Sequence, residues 1–159
     1  MSASPVSNVA LIVDYTAALA AGIAGVKSVA GAGQGDTDDP LRPGQKIVAC
    51  GGNPSEPYQH WSELPDAPTV QWLTQNGTVE LTWELPMRLW LPRTDLAVMR
   101  RNALPFYDGY LRAFIRDYLL GGLVIRSEIT HIQRDGDDDW TWLEIMLSLT
   151  EIVNYGDGV

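Results

Sequence analysis

Apolar and polar residues alternate along Thr78–Leu91 almost without interruption. Val79, Leu81, Trp83, Leu85, Met87, Leu89 and Leu91 hold the odd positions. Thr78, Glu80, Thr82, Glu84, Pro86, Arg88 and Trp90 hold the even ones. Side chains on a strand point to opposite faces with a period of two, so this run predicts one long strand with one buried face. Asn76-Gly77 just before it suits a two-residue hairpin turn. Thr69–Thr74 is then the first arm, with Val70, Trp72 and Leu73 as its packing candidates. A second alternating row, Leu143, Ile145, Leu147 and Leu149, lies in Trp140–Val153. It pairs with Leu123–Arg134 around the acidic turn Asp135–Asp139 as a second hairpin.

Helical spacing governs two other stretches. Ser7 or Asn8 caps a helix beginning at Val9, and Leu11, Ile12, Tyr15, Leu19 and Ile23 fall on one side of it. Gly22 and Gly25 end it, and a short strand over Val26–Val29 follows. Thr94 caps a second helical stretch with Asp95 in its first turn. Pro105 predicts a kink or two consecutive helices. Beyond it Phe106, Tyr110, Phe114 and Tyr118 step by i, i+4, backed by Leu111, Ile115 and Leu119. Asp108, Arg112 and Arg116 occupy the opposite side, and Gly121-Gly122 stops the helix. Between the first helix and the first hairpin, Ala30–Pro68 is rich in Gly, Pro, Asp and Ser. It reads as a long surface connection with one strand near Lys46–Cys50, a natural place for a partner-dependent loop. The fold class expected is α+β: a mostly antiparallel sheet of two hairpins packed by an N-terminal and a central helix.

Length and charge narrow the function. The 159 residues suit one domain, 1–159, with its long loop at about 30–68. A net charge of −9 argues against a groove that grips nucleic acid. Val9–Val26 carries only Asp14 as a charge. Its Ala and Gly content, and the absence of Lys or Arg before it, predict a packed helix and neither a membrane span nor a signal sequence. The single cysteine, Cys50, allows no intrachain disulfide and no Cys-based zinc cluster.

No residue constellation carries an enzymatic signature. His60 sits in a Pro-rich loop and His131 in a strand, and neither has a marked nucleophile beside it; both are expected as hydrogen-bonded surface or edge histidines. Gly31-Ala32-Gly33-Gln34-Gly35 lacks the spacing of a dinucleotide or phosphate loop. The Asp135–Asp139 turn and Asp36, Asp38 and Asp39 miss the ligand pattern of a calcium loop. Asn76-Gly77-Thr78 fits the glycosylation acceptor pattern, but the turn accounts for it. Glu80 and Glu84 share a face but stand roughly 13 Å apart at about 3.3 Å per residue, too far for a glycosidase pair. The expectation is a protein that is not an enzyme and takes no cofactor or metal.

Tryptophan is the remaining oddity. Of the six, Trp90 lies on the even face of its strand, and Trp140 and Trp142 lie opposite the Leu143–Leu149 row. Large aromatics on a second sheet face predict a covering helix or a subunit contact. The order of elements is also informative: an N-terminal helix into Gly25–Val29, an extended loop, then Glu63–Pro68 leading into a strand, the long alternating strand, the Phe106–Leu119 helix and a closing hairpin. From about Val6 to Tyr155 this resembles the tail terminator and neck (tail-completion) proteins of long-tailed bacteriophages, with a longer Ala30–Pro57 insertion.

That resemblance implies a structural virion protein. Its homohexameric ring would be assembled in the host cytoplasm, cap the tail tube, end tail polymerisation and join the tube protein to the head-side connector. Genomic DNA would pass the acidic lumen without specific binding, and no membrane is involved. Arg88, Trp90, Asp135, Asp137, Asp138, Asp139 and Trp140 are the expected contacts to neighbouring subunits or the tube. Two rival readings are another neck ring, such as a head-completion or stopper protein, and a stand-alone ligand- or glycan-binding module using Pro57–Trp61. A third is a small hydrolase with a spatially assembled site.

Overall fold

The computed structural model describes residues 6–30 and 57–156, with the backbone alone at 28–30. The elements run α1 (Val9–Ala21), β1 (Ser28–Ala30), β2 (Gln59–Ser62), β3 (Thr69–Trp72), β4 (Thr78–Leu91), α2 (Leu96–Arg116), a 3₁₀ turn (Leu120–Gly122), β5 (Arg126–Gly136) and β6 (Thr141–Asn154). The strands form one sheet in the order β1-β2-β4-β6-β5, with β3 also on β4. Every pairing is antiparallel except β1 with β2. This is the α+β class expected.

The centre of the sheet is the β4–β6 ladder, in register from Thr78 opposite Asn154 to Leu91 opposite Thr141. Because β6 takes one whole edge of β4, β2 and β3 must share the other: β2 lies beside Met87–Leu89 and β3 beside Val79–Thr82. The odd positions of β4 and the row Leu143–Leu149 pack under Ile12, Val13 and Ala20 of α1 and under Phe106, Tyr110 and Phe114 of α2. Burying large side chains on one face of a sheet under two helices supplies the main apolar stabilisation of the fold.

Several local expectations are corrected. α1 turns Ile12, Val13, Thr16, Ala17 and Ala20 inward, so Leu11 is exposed. Its small residues let the helix sit close to the sheet. Of the two expected caps, Ser7 serves and Asn8 does not: Ser7 Oγ accepts the Val9 amide at 3.2 Å. The buried carboxylate of Glu151 on β6 completes the cap, accepting the Asn8 amide at 2.8 Å and the Ser7 hydroxyl at 2.6 Å. A carboxylate there also complements the positive end of the helix dipole.

The cap of α2 is Asp95 and not Thr94, its Oδ1 accepting the Val98 amide at 3.0 Å. The helix runs through Pro105 as one element. Its inward stripe is the narrow row Ala103, Phe106, Tyr110 and Phe114. Leu111, Ile115, Tyr118 and Leu119 are exposed, because the sheet covers only that one stripe. Val70, Trp72 and Leu73 are exposed too.

The first hairpin turn is a bulged loop. Gly77 alone has a positive φ, +93°, and the Leu73 and Thr74 amides both donate to the Thr78 carbonyl. The strand after α1 is shifted to Ser28–Ala30. The one expected near Lys46–Cys50 lies outside the described residues. The supposed loop at Pro57–Trp61 is mostly the strand β2.

Candidate interaction surfaces

Residues bearing chemistry gather in three places, and the first is sealed. His60 and Ser62 alternate onto the helix side of β2, where α1 and α2 cover them. Thr16 Oγ1 lies 2.9 Å from Ser62 Oγ, Ser62 Oγ lies 2.7 Å from His60 Nε2, and His60 Nδ1 lies 2.6 Å from the Tyr110 hydroxyl. This buried chain joins α1, β2 and α2. Burial lowers the His60 pKa to about 3 and raises that of the Tyr110 phenol, so the ring stays neutral and the phenol protonated at neutral pH. The expected surface or edge histidine is thereby corrected. A serine within 2.7 Å of a histidine has the distances of a nucleophile and its base, but His60, Ser62 and Tyr110 are all buried, so no substrate reaches them. The arrangement satisfies buried polar groups and locks the two helices to the sheet.

The second place is the far side of the sheet. Trp61, Trp90 and Trp142 form a cluster separate from the helix-side core. Trp90 and Trp142 stand opposite each other in the β4–β6 ladder and meet edge to face, centroids 5.1 Å apart. Arg88 lays its guanidinium over Trp142 at 4.4 Å and over Trp90 at 5.8 Å. It also pairs with Glu144 at 2.9 Å, whose same oxygen accepts the Trp142 indole N–H at 2.9 Å. Trp90 is 3% exposed. It is therefore a packed residue of the chain itself, where the parity of its strand predicts a covering helix or a subunit contact; Arg88 is half-buried beside it.

The acidic turn is the third place, and it is a structured tip. Asp137 Oδ1 accepts the amides of Asp139 and Trp140 at 2.9 and 2.7 Å. Those backbone bonds, with help from Arg93, hold the Asp137 carboxyl below the usual aspartate range. Arg93 Nη1 donates to the Asp137 carbonyl at 2.5 Å and ties the tip to the segment before α2. Asp135, Asp138, Asp139 and Trp140 are exposed at this end of the sheet. The structure thus brings Arg88 and Trp90 together on one face but leaves the tip as a separate cluster. Among the described residues no group of three or more His, Cys, Asp or Glu side chains is placed to hold a metal ion. No helix of the described residues is long and apolar enough to cross a membrane.

Two open surfaces escaped the sequence reading. One is a groove of about 320 Å³ between α2 and β5, lined by Leu111, Phe114, Ile115, Tyr118 and Ile129. The other, about 340 Å³, lies over the start of β4, lined by Val9, Val70, Trp72, Leu81, Trp83 and Tyr155 among others. The signal was present in both cases: the apolar residues of α2 exceed one stripe, and the first hairpin arm carries Val70, Trp72 and Leu73 where no helix among the described residues covers them. No family model matches this chain, and no curated protein matches it.

Proposed function

We propose that this chain is a structural virion protein, the subunit of a homohexameric ring. The ring caps the bacteriophage tail tube, ends tail polymerisation and joins the tail to the head-side connector. The observation that carries the reading is the pair of apolar grooves that the described residues leave open at opposite edges of one sheet. Exposed apolar surface of this kind marks contact with another macromolecule. A subunit with different surfaces at its two edges closes into a ring when the repeat angle allows. Helix, connecting segment, hairpin, helix and hairpin follow one another in the order for which the sequence resembles the tail terminator and neck proteins. The acidic balance suits a lumen through which DNA passes without being held.

The binding-module alternative relied on an open Pro57–Trp61 loop. His60 and Trp61 are buried in β2, which leaves that reading little surface. Size-exclusion chromatography with light scattering, followed by negative-stain imaging, tests the proposal. Six-membered rings that also appear at the ends of tail tubes are expected. A strictly monomeric protein that never joins tails would overturn it.

A further inference from the structure

Asn76-Gly77, in the turn of the first hairpin, sets a side-chain amide beside the least shielded kind of backbone nitrogen. Glycine has no side chain to cover its amide. The fold demands glycine here: φ is +93°, and a Cβ would stand 3.0 Å from the Gly156 amide nitrogen. Asn76 itself is exposed. Thr74 Oγ1 accepts the Asn76 amide at 3.2 Å and the Thr78 amide at 3.3 Å. Among the described residues, neither the Gly77 amide nor the Asn76 side chain makes a hydrogen bond of ordinary geometry.

The other asparagines lack this combination. Asn8, Asn53, Asn102 and Asn154 are followed by Val9, Pro54, Ala103 and Tyr155. The Val9 amide is bound to Ser7 Oγ, and Pro54 has no amide hydrogen. Asn102 lies inside α2, and Asn154 Oδ1 accepts the Gly156 amide at 3.1 Å.

We infer that Asn76 is a site of self-modification, where the Gly77 nitrogen converts the asparagine to a mixture of isoaspartate and aspartate. Solvent base takes the Gly77 amide proton, and the nitrogen attacks the Asn76 side-chain carbonyl carbon. The Gly77 N–Cγ bond forms, the Cγ–Nδ2 bond breaks, and the side-chain nitrogen leaves as ammonia with a proton. Water then opens the five-membered imide at either carbonyl and restores the hydrogen on the backbone nitrogen. The net reaction consumes water and releases ammonia, with no oxidation or reduction. It is independent of the ring reading.

The product changes the hairpin in two ways. Ala67–Val79 contains no charged residue, so a carboxylate at position 76 is the first charge there. It arises next to Gly77, which lines the apolar groove over the start of β4. Isoaspartate also adds a methylene to the main chain immediately before Gly77. The Gly77 carbonyl accepts the Tyr155 amide at 2.9 Å, the bond that ties this turn to the end of β6. The longer main chain displaces that bond.

Incubating the purified wild-type chain in mildly alkaline buffer, followed by peptide mapping with mass spectrometry, tests the assignment. A gain of about one dalton is expected, confined to the peptide that carries Asn76. Both isoaspartate and aspartate should appear there, faster as pH rises, because the attacking nitrogen must lose its proton. Asn76→Gln, which would have to close a six-membered ring, should fold as the wild type does and show no gain over the same period. Modification of another asparagine first, or the same gain in Asn76→Gln, would overturn the proposal. So would aspartate without isoaspartate, which means direct hydrolysis. A native chain that stays unmodified while the urea-unfolded chain converts at Asn76 would also overturn it, because the turn then holds the reacting atoms apart.

Thermal unfolding reads the consequence for the hairpin. The isoaspartyl form, separated by ion exchange, should melt below both the fresh protein and Asn76→Asp, which carries the charge without the added methylene. Equal midpoints for all three would overturn the displaced tie to β6.

Discussion

Glu151 shows how one residue sets the local energetics. It continues the buried row Leu147, Leu149 into a position where a carboxylate is expensive to bury. The cost is offset because its oxygens accept the Ser7 hydroxyl, the Asn8 amide and the Trp83 indole N–H, the last at 2.8 Å. Glu151→Ala leaves those donors in a buried site without an acceptor. A loss of about 3 kcal/mol is expected in urea unfolding, whereas a loss under about 0.5 kcal/mol would mean that water replaces the carboxylate.

Trp90→Ala opens a cavity in the three-tryptophan cluster, with an expected cost of about 3–5 kcal/mol in the same measurement. His60 sets the acid response. Its folded pKa, about 3, lies below the ordinary 6.5, so the folded state binds fewer protons than the unfolded chain in that interval. The stability contributed by neutral His60 is complete above pH 6.5 and is lost as the pH falls toward 3, at roughly 1.4 kcal/mol per pH unit. His60→Gln should be less stable at pH 7 but should lose less on going to pH 4.5. Equal losses in both proteins would assign the acid sensitivity to other groups.

At the scale of elements, the two hairpins, both helices and the acidic turn were legible because each repeats one period over many residues. β4 is the clearest, a strand with one face against helices and the other largely polar. β2 was not legible. Gln59-His60-Trp61-Ser62 buries both faces, His60 and Ser62 against the helices and Trp61 in the tryptophan cluster, so no alternation survives. The inward stripe of α2 is half legible: of the row Phe106, Tyr110, Phe114 and Tyr118, the first three face the core and Tyr118 is exposed. Periodicity sets Leu111, Ile115 and Leu119 beside that row, but it does not reveal how wide a surface the sheet can cover, and all three are exposed.

Gly109 also has a role that only packing reveals. A Cβ there would stand 2.7 Å from Cγ2 of the buried Ile23, so the turn after α1 meets α2 at a position where a side chain does not fit. In an exposed helix Gly→Ala gains about 1 kcal/mol. Gly109→Ala should instead lower the thermal midpoint, and a raised midpoint would mean that Ile23 yields easily.

For the whole molecule, the proposal of a ring subunit rests on the sequence resemblance and on the apolar edges exposed among the described residues. Of the contacts expected from sequence, Trp90 is interior, Arg88 is half-buried beside it, and the Asp135–Asp139 tip with Trp140 is exposed. The surplus apolar residues that line the grooves at β3 and β5 are visible in the sequence, but their meeting in grooves is not, because it depends on which strands end up at the edges, a property of topology and not of any local pattern. Native mass spectrometry of the purified wild-type chain is the most direct test of self-assembly. A dominant closed species of six copies, with no open series of larger assemblies, is predicted; a spectrum containing only the monomer at concentrations well above micromolar would contradict the account.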